Sequence, residues 1–488
     1  MYHVRRVTTA SGATAIQVVE YVKRVAKVRV HIGSAHSDNE MQSLVQTANQ
    51  WIERKSGHAS LFHAAKTHSP LDAYRYAGIR HTFTHEVLRG ILARFGFTAL
   101  GNTLLHDLII IRVVEPASKL RSITLIKRYF GITHRRRFFY ESLKTYLPLK
   151  GAAESCTVEM AKEEFAFDFS IVFYDVTTLY FETFDSDVLR KPGFSKDNKP
   201  QQPQIMLAVV VTKEGFPIAY DIFPGNTFEG HTMIPVIRTF QKKYGIKTLT
   251  VVADAGMISE ATIKALQEND LRYIVGARMG TLDLKDISRA LGARDGRTMR
   301  IKTKLGDLVC HFSAKRYAKD KREMEKQLKR ARDLVNAPGN VKRAKFVQSL
   351  GASYALNEEM LAKTKLRLGI KGYYTNTKVK DATVVEQYRQ LWHVEAAFRM
   401  AKSDLATRPV FHFKENPIRA HVRICFMALA VSKYMEIKTG LSIRKILDSL
   451  KDITDVLLVN KHTKEMETLR SSVTSAVATI LEKLALPH

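Results

Sequence analysis

Between residues 171 and 276, short apolar runs alternate with amphipathic segments in an order that few folds accommodate. The apolar runs are rich in β-branched and aromatic residues, as strands are, and the amphipathic segments have helical periodicity. Three predicted strands come first, over residues 171–176, 204–212 and 216–223. A helix (231–243), a strand (248–253), a second helix (259–268) and a last strand (271–276) follow. Strands followed by alternating helices and strands indicate a mixed sheet with helices on both faces.

The pattern is interrupted after residue 280 and resumes near residue 372. Residues 301–345 carry 14 Lys or Arg and 5 Asp or Glu, and residues 316–334 look like a charged helix. A short strand over 372–377 and a helix over 382–404 then continue the earlier pattern. We therefore predict an α/β protein: a ribonuclease-H-like mixed sheet flanked by helices and interrupted by an insertion, with a mainly helical N-terminal region. The charge of the insertion suits a solvated face or a groove beside DNA equally well.

This interpretation divides the chain into five parts. An N-terminal DNA-binding and helical region covers residues 1–165. The first part of the catalytic core (166–279) and its second part (371–436) are separated by a basic insertion domain (280–370), and a C-terminal helical region covers residues 437–488.

The charge balance indicates a polyanionic partner. The chain has 77 Lys and Arg against 48 Asp and Glu, a formal net charge of +29. Its 3 cysteines are scattered and form no CxxC pair, so a disulfide framework or a cysteine-rich zinc site is not expected. Apolar stretches fall short of the roughly 20 residues that span a membrane. We expect a cytoplasmic, nucleoid-associated protein of a bacterium or archaeon, without membrane contact.

A second basic feature lies in the N-terminal region. Pro116 and Gly131 are placed to start and stop a helix, and Thr133 is placed to cap the next one. That second helix begins with Arg135, Arg136 and Arg137. Helix, short turn and basic helix resemble a DNA-binding helix-turn-helix, although an ordinary helical hairpin with a solvated basic end has the same pattern.

Two aspartates follow buried strands of the predicted sheet. Asp175 ends the run 171–176, and Asp254 comes directly after the run 248–253. Neighbouring strand ends of such a sheet bring side chains together at the crevice where sites form. Aspartate is also a common turn residue after strands, which leaves a purely structural interpretation of either residue open.

A third ionisable group is predicted on the helix over 382–404. Tyr388, Glu395 and Lys402 are seven residues apart and would drift by only about 20° per step, so they share one helix face. Arg399 falls beside them, and the group borders a core stripe of Leu391, Val394, Phe398 and Ala401. Glu395 would then be partly desolvated and would need a metal or a cation as partner. A salt-bridge ladder on a helix surface is the alternative.

Three converging carboxylates are what metal-assisted phosphoryl transfer requires. In such sites two ions about 4 Å apart activate the nucleophile and stabilise the leaving oxygen. Hard carboxylate oxygens suit Mg²⁺, which keeps several of its waters. Asp175, Asp254 and Glu395 are the candidate catalytic carboxylates for such a site, and Mg²⁺ is the metal that suits it, with Mn²⁺ as a possible substitute.

Three sequence motifs carry a resemblance to a known family. They are YDVTTLYFE around Asp175, VVADAGM around Asp254 and YRQLWHVEAAFRMAKS around Glu395. With them, residues 170–435 resemble DDE transposases of the IS4-like group, closest to the IS1634-type insertion sequences. The group's third motif has Tyr, Arg, Glu and Lys; here Tyr388, Glu395 and Lys402 match, and Leu391 stands in place of the arginine.

The resemblance implies a function in DNA transposition. It implies that Asp175, Asp254 and Glu395 hold the two ions and that Tyr388 and Lys402 contact phosphates of the element's end, while Arg399 could replace the missing arginine. The expected function is a cut-and-paste insertion-sequence transposase that binds terminal inverted repeats of double-stranded DNA, cleaves them and joins them to target DNA as a homodimer. A catalytically silent DNA-binding regulator and a stand-alone ribonuclease-H-like nuclease are the alternatives.

Overall fold

The computed structural model groups the chain into two compact units. The first comprises Met1–Arg75 with Val459–Glu465, and the second comprises Tyr76–Leu458 with Met466–His488. The structure describes residues 2–10, 12–56, 73–195, 199–280, 282, 288–290, 298–336, 344–350, 353–461 and 463–487.

The first unit consists of an antiparallel sheet and one helix. Its elements are β1 (Tyr2–Thr8), β2 (Thr14–Val22), β3 (Val25–Ala35) and α1 (Asp38–Ser56). The strands pair in the order β1-β2-β3, and α1 packs against all three. Ile16 and Val18 of β2 and Ala48 of α1 form its small buried core.

The second unit begins with a strand and a run of helices. They are β4 (Tyr74–Arg80), α2 (Thr82–Arg94), α3 (Thr103–Val114), α4 (Lys119–Phe130), α5 (Arg136–Tyr146) and α6 (Lys150–Phe165). Asp107 of α3 lies at the centre of this region, because its buried carboxylate accepts hydrogen bonds from His85 Nε2 at 2.7 Å and His134 Nε2 at 2.6 Å. A single carboxylate thereby links α2, α3 and the segment before α5.

The central elements follow in the predicted order. They are β5 (Ile171–Tyr180), β6 (Gln204–Val211), β7 (Pro217–Pro224), α7 (Gly230–Tyr244), β8 (Thr250–Ala253), α8 (Glu260–Glu268) and β9 (Arg272–Gly276). The strands β5, β6 and β7 form an antiparallel meander, and β8 and β9 lie parallel to β5. Every side chain of β6 is buried, as expected for a strand covered on both faces.

The insertion adds strands to the same sheet as well as a satellite core. Its elements are β10 (Thr298–Thr303), β11 (Gly306–Phe312), α9 (Ala314–Asn336), β12 (Val347–Leu350), β13 (Ser353–Leu356) and α10 (Glu358–Arg367). With β14 (Ile370–Thr375), the main sheet has the order β10-β11-β14-β9-β8-β5-β6-β7. Met324 and Ala331 of α9 pack with Phe346 in a separate small core.

The chain ends in helices and a hairpin. They are α11 (Asp381–Arg389), α12 (Trp392–Ser403), α13 (Glu415–Thr439), α14 (Ile443–Lys451), β15 (Asp455–Asn460), β16 (Met466–Arg470) and α15 (Ser475–Lys483). The helix α13 is buried on nearly all sides, because it packs against α3, α5, α12, α14 and β7. It joins the N-terminal helices to the sheet in one hydrophobic core.

Two local predictions are wrong. The expected helix over 382–404 is two helices, separated at Gln390 and Leu391, where i to i+3 hydrogen bonds such as that from Leu391 N to the Tyr388 carbonyl tighten the chain. A regular step of 100° per residue therefore does not connect Tyr388 to Glu395. Thr133 does not cap α5, which begins at Arg136 without a side-chain cap.

The main prediction of fold class is confirmed. The mixed α/β sheet, its strand order and its flanking helices are those of the ribonuclease-H-like arrangement, and the predicted strands and helices of residues 171–276 match the observed ones to within a few residues. Within the described residues, no helix is long and apolar enough to cross a membrane.

Candidate active site

Asp175 and Asp254 lie side by side on neighbouring parallel strands. Tyr174 of β5 is in register with Ala253 of β8, so the two aspartates are the next residues of adjacent strands. Adjacent strands lie about 4.8 Å apart, which brings the two carboxylates to one edge of the sheet. Asp175 is half-buried and Asp254 is exposed. The register between β5 and β8 therefore explains why Asp175 and Asp254 lie close together.

The turn after β8 presents the Asp254 carboxylate in a fixed orientation. Oδ2 accepts a long hydrogen bond of 3.4 Å from Gly256 N, and Oδ1 accepts one of 3.0 Å from the Tyr388 hydroxyl. Arg278 braces the turn by donating to the carbonyls of Ala255 at 3.0 Å and Gly256 at 2.8 Å. Since each carboxylate oxygen carries two lone pairs, both retain an acceptor site that faces outward.

Tyr388 is a buried hydrogen-bond donor. Burial, and then the negative charge of Asp254, raise the pKa of its hydroxyl, so it stays protonated and donates to Asp254 at neutral pH. Gly276 makes room for it: a Cβ there would collide with the Tyr388 hydroxyl and lie 3.0 Å from Ala255 N. The sequence prediction expected Tyr388 on the helix face of Glu395, but it lies on the preceding helix and contacts Asp254 instead.

Glu395 reaches the same region from α12, which packs against β5 and β6. Its side chain is exposed, contrary to the predicted partial desolvation. The ammonium of Lys371 on β14 interacts electrostatically with both Asp254 and Glu395. It also lies 5.1 Å from the centre of the Tyr388 ring. One cation thus faces two of the three predicted carboxylates.

Burial and the neighbouring Arg316 lower the pKa of Lys371, whereas Asp254 and Glu395 raise it. The sequence analysis missed this residue, because β14 is separated from both carboxylates by many residues and its pairing with β9 is a tertiary fact. Lys371 and Arg316 line a cavity of about 510 Å³ that Asp254 and Tyr388 also line. The cavity places both basic groups beside the edge of the sheet that carries Asp175 and Asp254, which we call the acidic edge.

Glu229 is a further carboxylate that the sequence analysis missed. A Cβ built on Gly256 would lie 3.5 Å from Asp254 Oδ2 and 3.7 Å from Glu229 Oε2, so both carboxylates flank the same glycine. Glu229 precedes the first residue of α7. An acidic residue just before a predicted helix is the signal that could have found it, although such residues are usually caps.

The remaining predicted DNA-contacting residues lie on helix surfaces. Arg399 is exposed, one turn beyond Glu395, and Lys402 is half-buried in the last turn of α12. The core stripe of α12 is confirmed, since Leu391, Val394, Phe398 and Ala401 are buried.

The three arginines predicted for a basic helix start lie at the beginning of α5. Arg135, Arg136 and Arg137 are all exposed there, and Arg137 pairs with Glu141 at 2.6 Å. They are therefore accessible to an external partner, as the predicted DNA contact requires.

The donor chemistry of the acidic edge fits a hard divalent cation. Asp175 and Asp254 supply adjacent carboxylate oxygens, and the Asp254 oxygens keep outward lone pairs. Within the described part of the chain, however, no three His, Cys, Asp or Glu side chains converge closely enough to hold a metal ion on their own. Asp175 and Asp254 thus lie together, whereas Glu395 is not close enough to both of them to form a three-carboxylate site.

Comparison with known proteins identifies the family of the chain. The family model described as the transposase DDE domain matches residues 167–431, which is just over half of the 488 residues. The chain belongs to this family of DDE-domain transposases, in agreement with its resemblance to the IS4-like group.

Solved transposase structures are similar to the chain at low identity. A piggyBac transposase synaptic complex with hairpin DNA is 12% identical over 76% of this chain and 76% of that chain, with a TM-score of 0.39. A Mos1 transposase paired-end complex with the left transposon end is 15% identical over 47% of this chain and 66% of that one, with a TM-score of 0.16. No curated protein matches the chain.

A prediction follows from the hydrogen bond between Tyr388 and Asp254. Tyr388→Phe removes the donor that orients Oδ1 while keeping the packed ring, so we expect metal-dependent DNA cleavage to slow by about 10- to 100-fold, with a higher Mg²⁺ requirement. Single-turnover cleavage rates over a Mg²⁺ titration measure both effects. Tyr244→Phe is the matched control, because no partner for the Tyr244 hydroxyl occurs among the described residues. An unchanged rate and Mg²⁺ requirement for Tyr388→Phe would contradict the assignment.

Proposed function

We propose that the chain is an active transposase that cleaves double-stranded DNA at the ends of a mobile element and transfers those ends to target DNA. The observation that carries the proposal is the neighbouring register of Asp175 and Asp254, with Lys371 facing both Asp254 and Glu395. Cleavage and joining are both in-line attacks at phosphorus, so a single acidic site can serve both steps.

In this proposal, Asp175, Asp254 and Glu395 would hold two Mg²⁺ ions, for which Mn²⁺ could substitute. When bound, the ions would activate the attacking water or 3′-hydroxyl and stabilise the leaving oxygen. The protein's own part is positioning: Tyr388 orients Asp254, Arg278 holds the turn that carries it, and Lys371 supplies a positive charge next to the carboxylates.

DNA binding would use the exposed basic surfaces. Arg135, Arg136 and Arg137 at the start of α5 would contact one stretch of the element's end, and Arg399 and Lys402 would contact the phosphates nearest to the acidic edge. Tyr388 is buried, so its proposed role moves from a DNA contact to the orientation of Asp254. A homodimer is proposed, because two ends must be processed together.

The test is cleavage and joining of DNA that flanks the coding region. The purified chain is incubated with Mg²⁺, a labelled duplex of that flanking sequence and a target plasmid. We expect strand breaks at one defined position and labelled plasmid products. Breaks without joined products would favour the stand-alone nuclease, binding without breaks would favour the silent regulator, and absence of specific binding would refute all three.

A further inference from the structure

A small cavity between α3, α4 and α13 has an unusual lining. It has a volume of about 130 Å³ and is lined by basic side chains from α3, α4, α13 and the segment between α12 and α13. We call it the Lys119 pocket and define it by its basic residues Arg112, Lys119, Arg408, His412 and His421.

Lys119 is the most unusual of these residues. Its side chain is 4% exposed, and among the described residues its ammonium has no hydrogen-bond partner. Burying an unpaired cation is costly, so such groups are normally paired or solvated. Burial, and then the charge of Arg112, hold the pKa of Lys119 well below its ordinary value. The pocket therefore buries the Lys119 amine without a hydrogen-bond acceptor among the described residues.

Arg112 is fixed beside Lys119 by the backbone. Its guanidinium donates to the carbonyl of Ala117 at 2.7 Å and to that of Ala406 at 3.3 Å, whereas its buried Nε has no partner in the described part of the chain. Two buried donors, Lys119 Nζ and Arg112 Nε, are thus held in place without an acceptor among the described residues. Such preorganised donors bind an oxyanion at little entropic cost.

The two histidines of the pocket, His412 and His421, are also affected by burial and by the neighbouring positive charges. Burial, and then the charges of Lys119 and Arg112, lower the pKa of His412 to about 4. The same causes hold the pKa of His421 well below its usual range, and its Nε2 donates to the Thr407 carbonyl at 3.1 Å. In the described residues, no carboxylate contributes to the pKa shift of Lys119, His412 or His421.

The pocket also lies at the start of a helix. Lys119 is the first residue of the 12-residue helix α4, and the hydroxyl of its cap residue Ser118 accepts a hydrogen bond from the Arg121 N–H. The free N–H groups of a first turn and the helix dipole both favour an anion. The volume holds about four waters at roughly 30 Å³ each, which suits a tetrahedral oxyanion and is too small for a nucleoside.

We propose that the Lys119 pocket binds a phosphate-like oxyanion, with the Lys119 ammonium, the Arg112 and Arg408 guanidinium groups and the first turn of α4 as donors. The shared chemistry is a tetrahedral phosphate group, which is either a backbone phosphate of bound DNA or free inorganic phosphate. The site is independent of the acidic edge and of the proposed cleavage reaction.

The first experiment measures binding of inorganic phosphate by calorimetry at constant ionic strength, with chloride as the competing salt. Lys119→Met should weaken phosphate binding at least tenfold, while Lys127→Met on the exposed face of α4 leaves it unchanged. Without phosphate, Lys119→Met should melt at the same temperature as the wild type or higher, because it removes a buried amine that has no hydrogen-bond partner in the described part of the chain. A melting temperature that is unchanged or higher shows that the variant is folded, so that its weaker phosphate binding reports on the pocket.

The second experiment identifies the source of the phosphate group. The affinity for a duplex of arbitrary sequence is measured against salt concentration for the wild type and both variants. If a DNA phosphate enters the pocket, log K falls less steeply with log salt for Lys119→Met, and the magnitude of the slope decreases by about 0.9. If only free phosphate enters, the slope is unchanged and the calorimetric loss remains. An unchanged slope together with equal or absent phosphate binding overturns the proposal.

Discussion

Asp254→Asn is expected to abolish strand cleavage while leaving DNA binding intact. The substitution keeps the size of the side chain and removes the negative charge that would hold a divalent ion beside Asp175. We expect the single-turnover cleavage rate to fall by at least about three orders of magnitude, equivalent to about 4 kcal/mol of transition-state stabilisation. Asp175→Asn should have the same effect, because both carboxylates would ligate the same ions.

The measurement combines a cleavage assay with a gel-shift assay on the same duplex. Asp185→Asn provides the matched control, since Asp185 lies in an exposed segment after β5, and it should cleave like the wild type. Full cleavage by Asp254→Asn in Mg²⁺ would show that the acidic edge is not the reaction centre. Equal loss of cleavage and of binding would instead mean that the residue supports DNA affinity.

Asp107→Ala is expected to produce the largest loss of stability among the variants considered. Burial raises the pKa of Asp107, but the hydrogen bonds and charges of His134 and His85 outweigh burial and lower it. Removal of the carboxylate leaves two buried imidazoles without their shared acceptor, which costs about 3 kcal/mol. The thermal midpoint should therefore fall by several degrees, as measured by circular dichroism.

The pH dependence of the wild type provides an independent check. A carboxylate whose pKa is lower in the folded than in the unfolded state contributes stability that is present above its unfolded value and is lost as the pH falls through the folded value. The difference in thermal midpoint between the wild type and Asp107→Ala should thus shrink as the pH falls below about 4. Asp185→Ala should melt like the wild type, and a pH-independent difference for Asp107→Ala would contradict the role of its charge.

The strands of the catalytic sheet were predictable because their signal is local. Apolar runs such as that of β6, which is buried throughout, are required by a sheet covered on both faces. The same holds for Asp254, since a carboxylate directly after a buried strand must leave the core. The prediction that a strand ends at Asp175 is wrong, because β5 continues to Tyr180 through its pairing with β6. The stripe of α12 was predictable for a related reason, because its period of 3.6 is set by the helix itself.

The relation between Tyr388 and Glu395 was not predictable from spacing. A seven-residue interval defines one face only if the helix is continuous, and the tight turn at Gln390 and Leu391 breaks it. Packing then buries Tyr388 against Asp254 and leaves Glu395 exposed. Lys371 and Glu229 were missed because their proximity to Asp254 depends on strand pairing and on the path of the chain before α7.

The mixed sheet, the strand-end Asp254 and the family motifs could be predicted because each depends on residue type and on periodicity within a few neighbouring positions. The groups that face Asp254 and the basic side chains around Lys119 could be found only in the folded structure. These relations join residues that are distant along the chain. Their energies come from burial and from charge at short range, which exist only once the elements have packed.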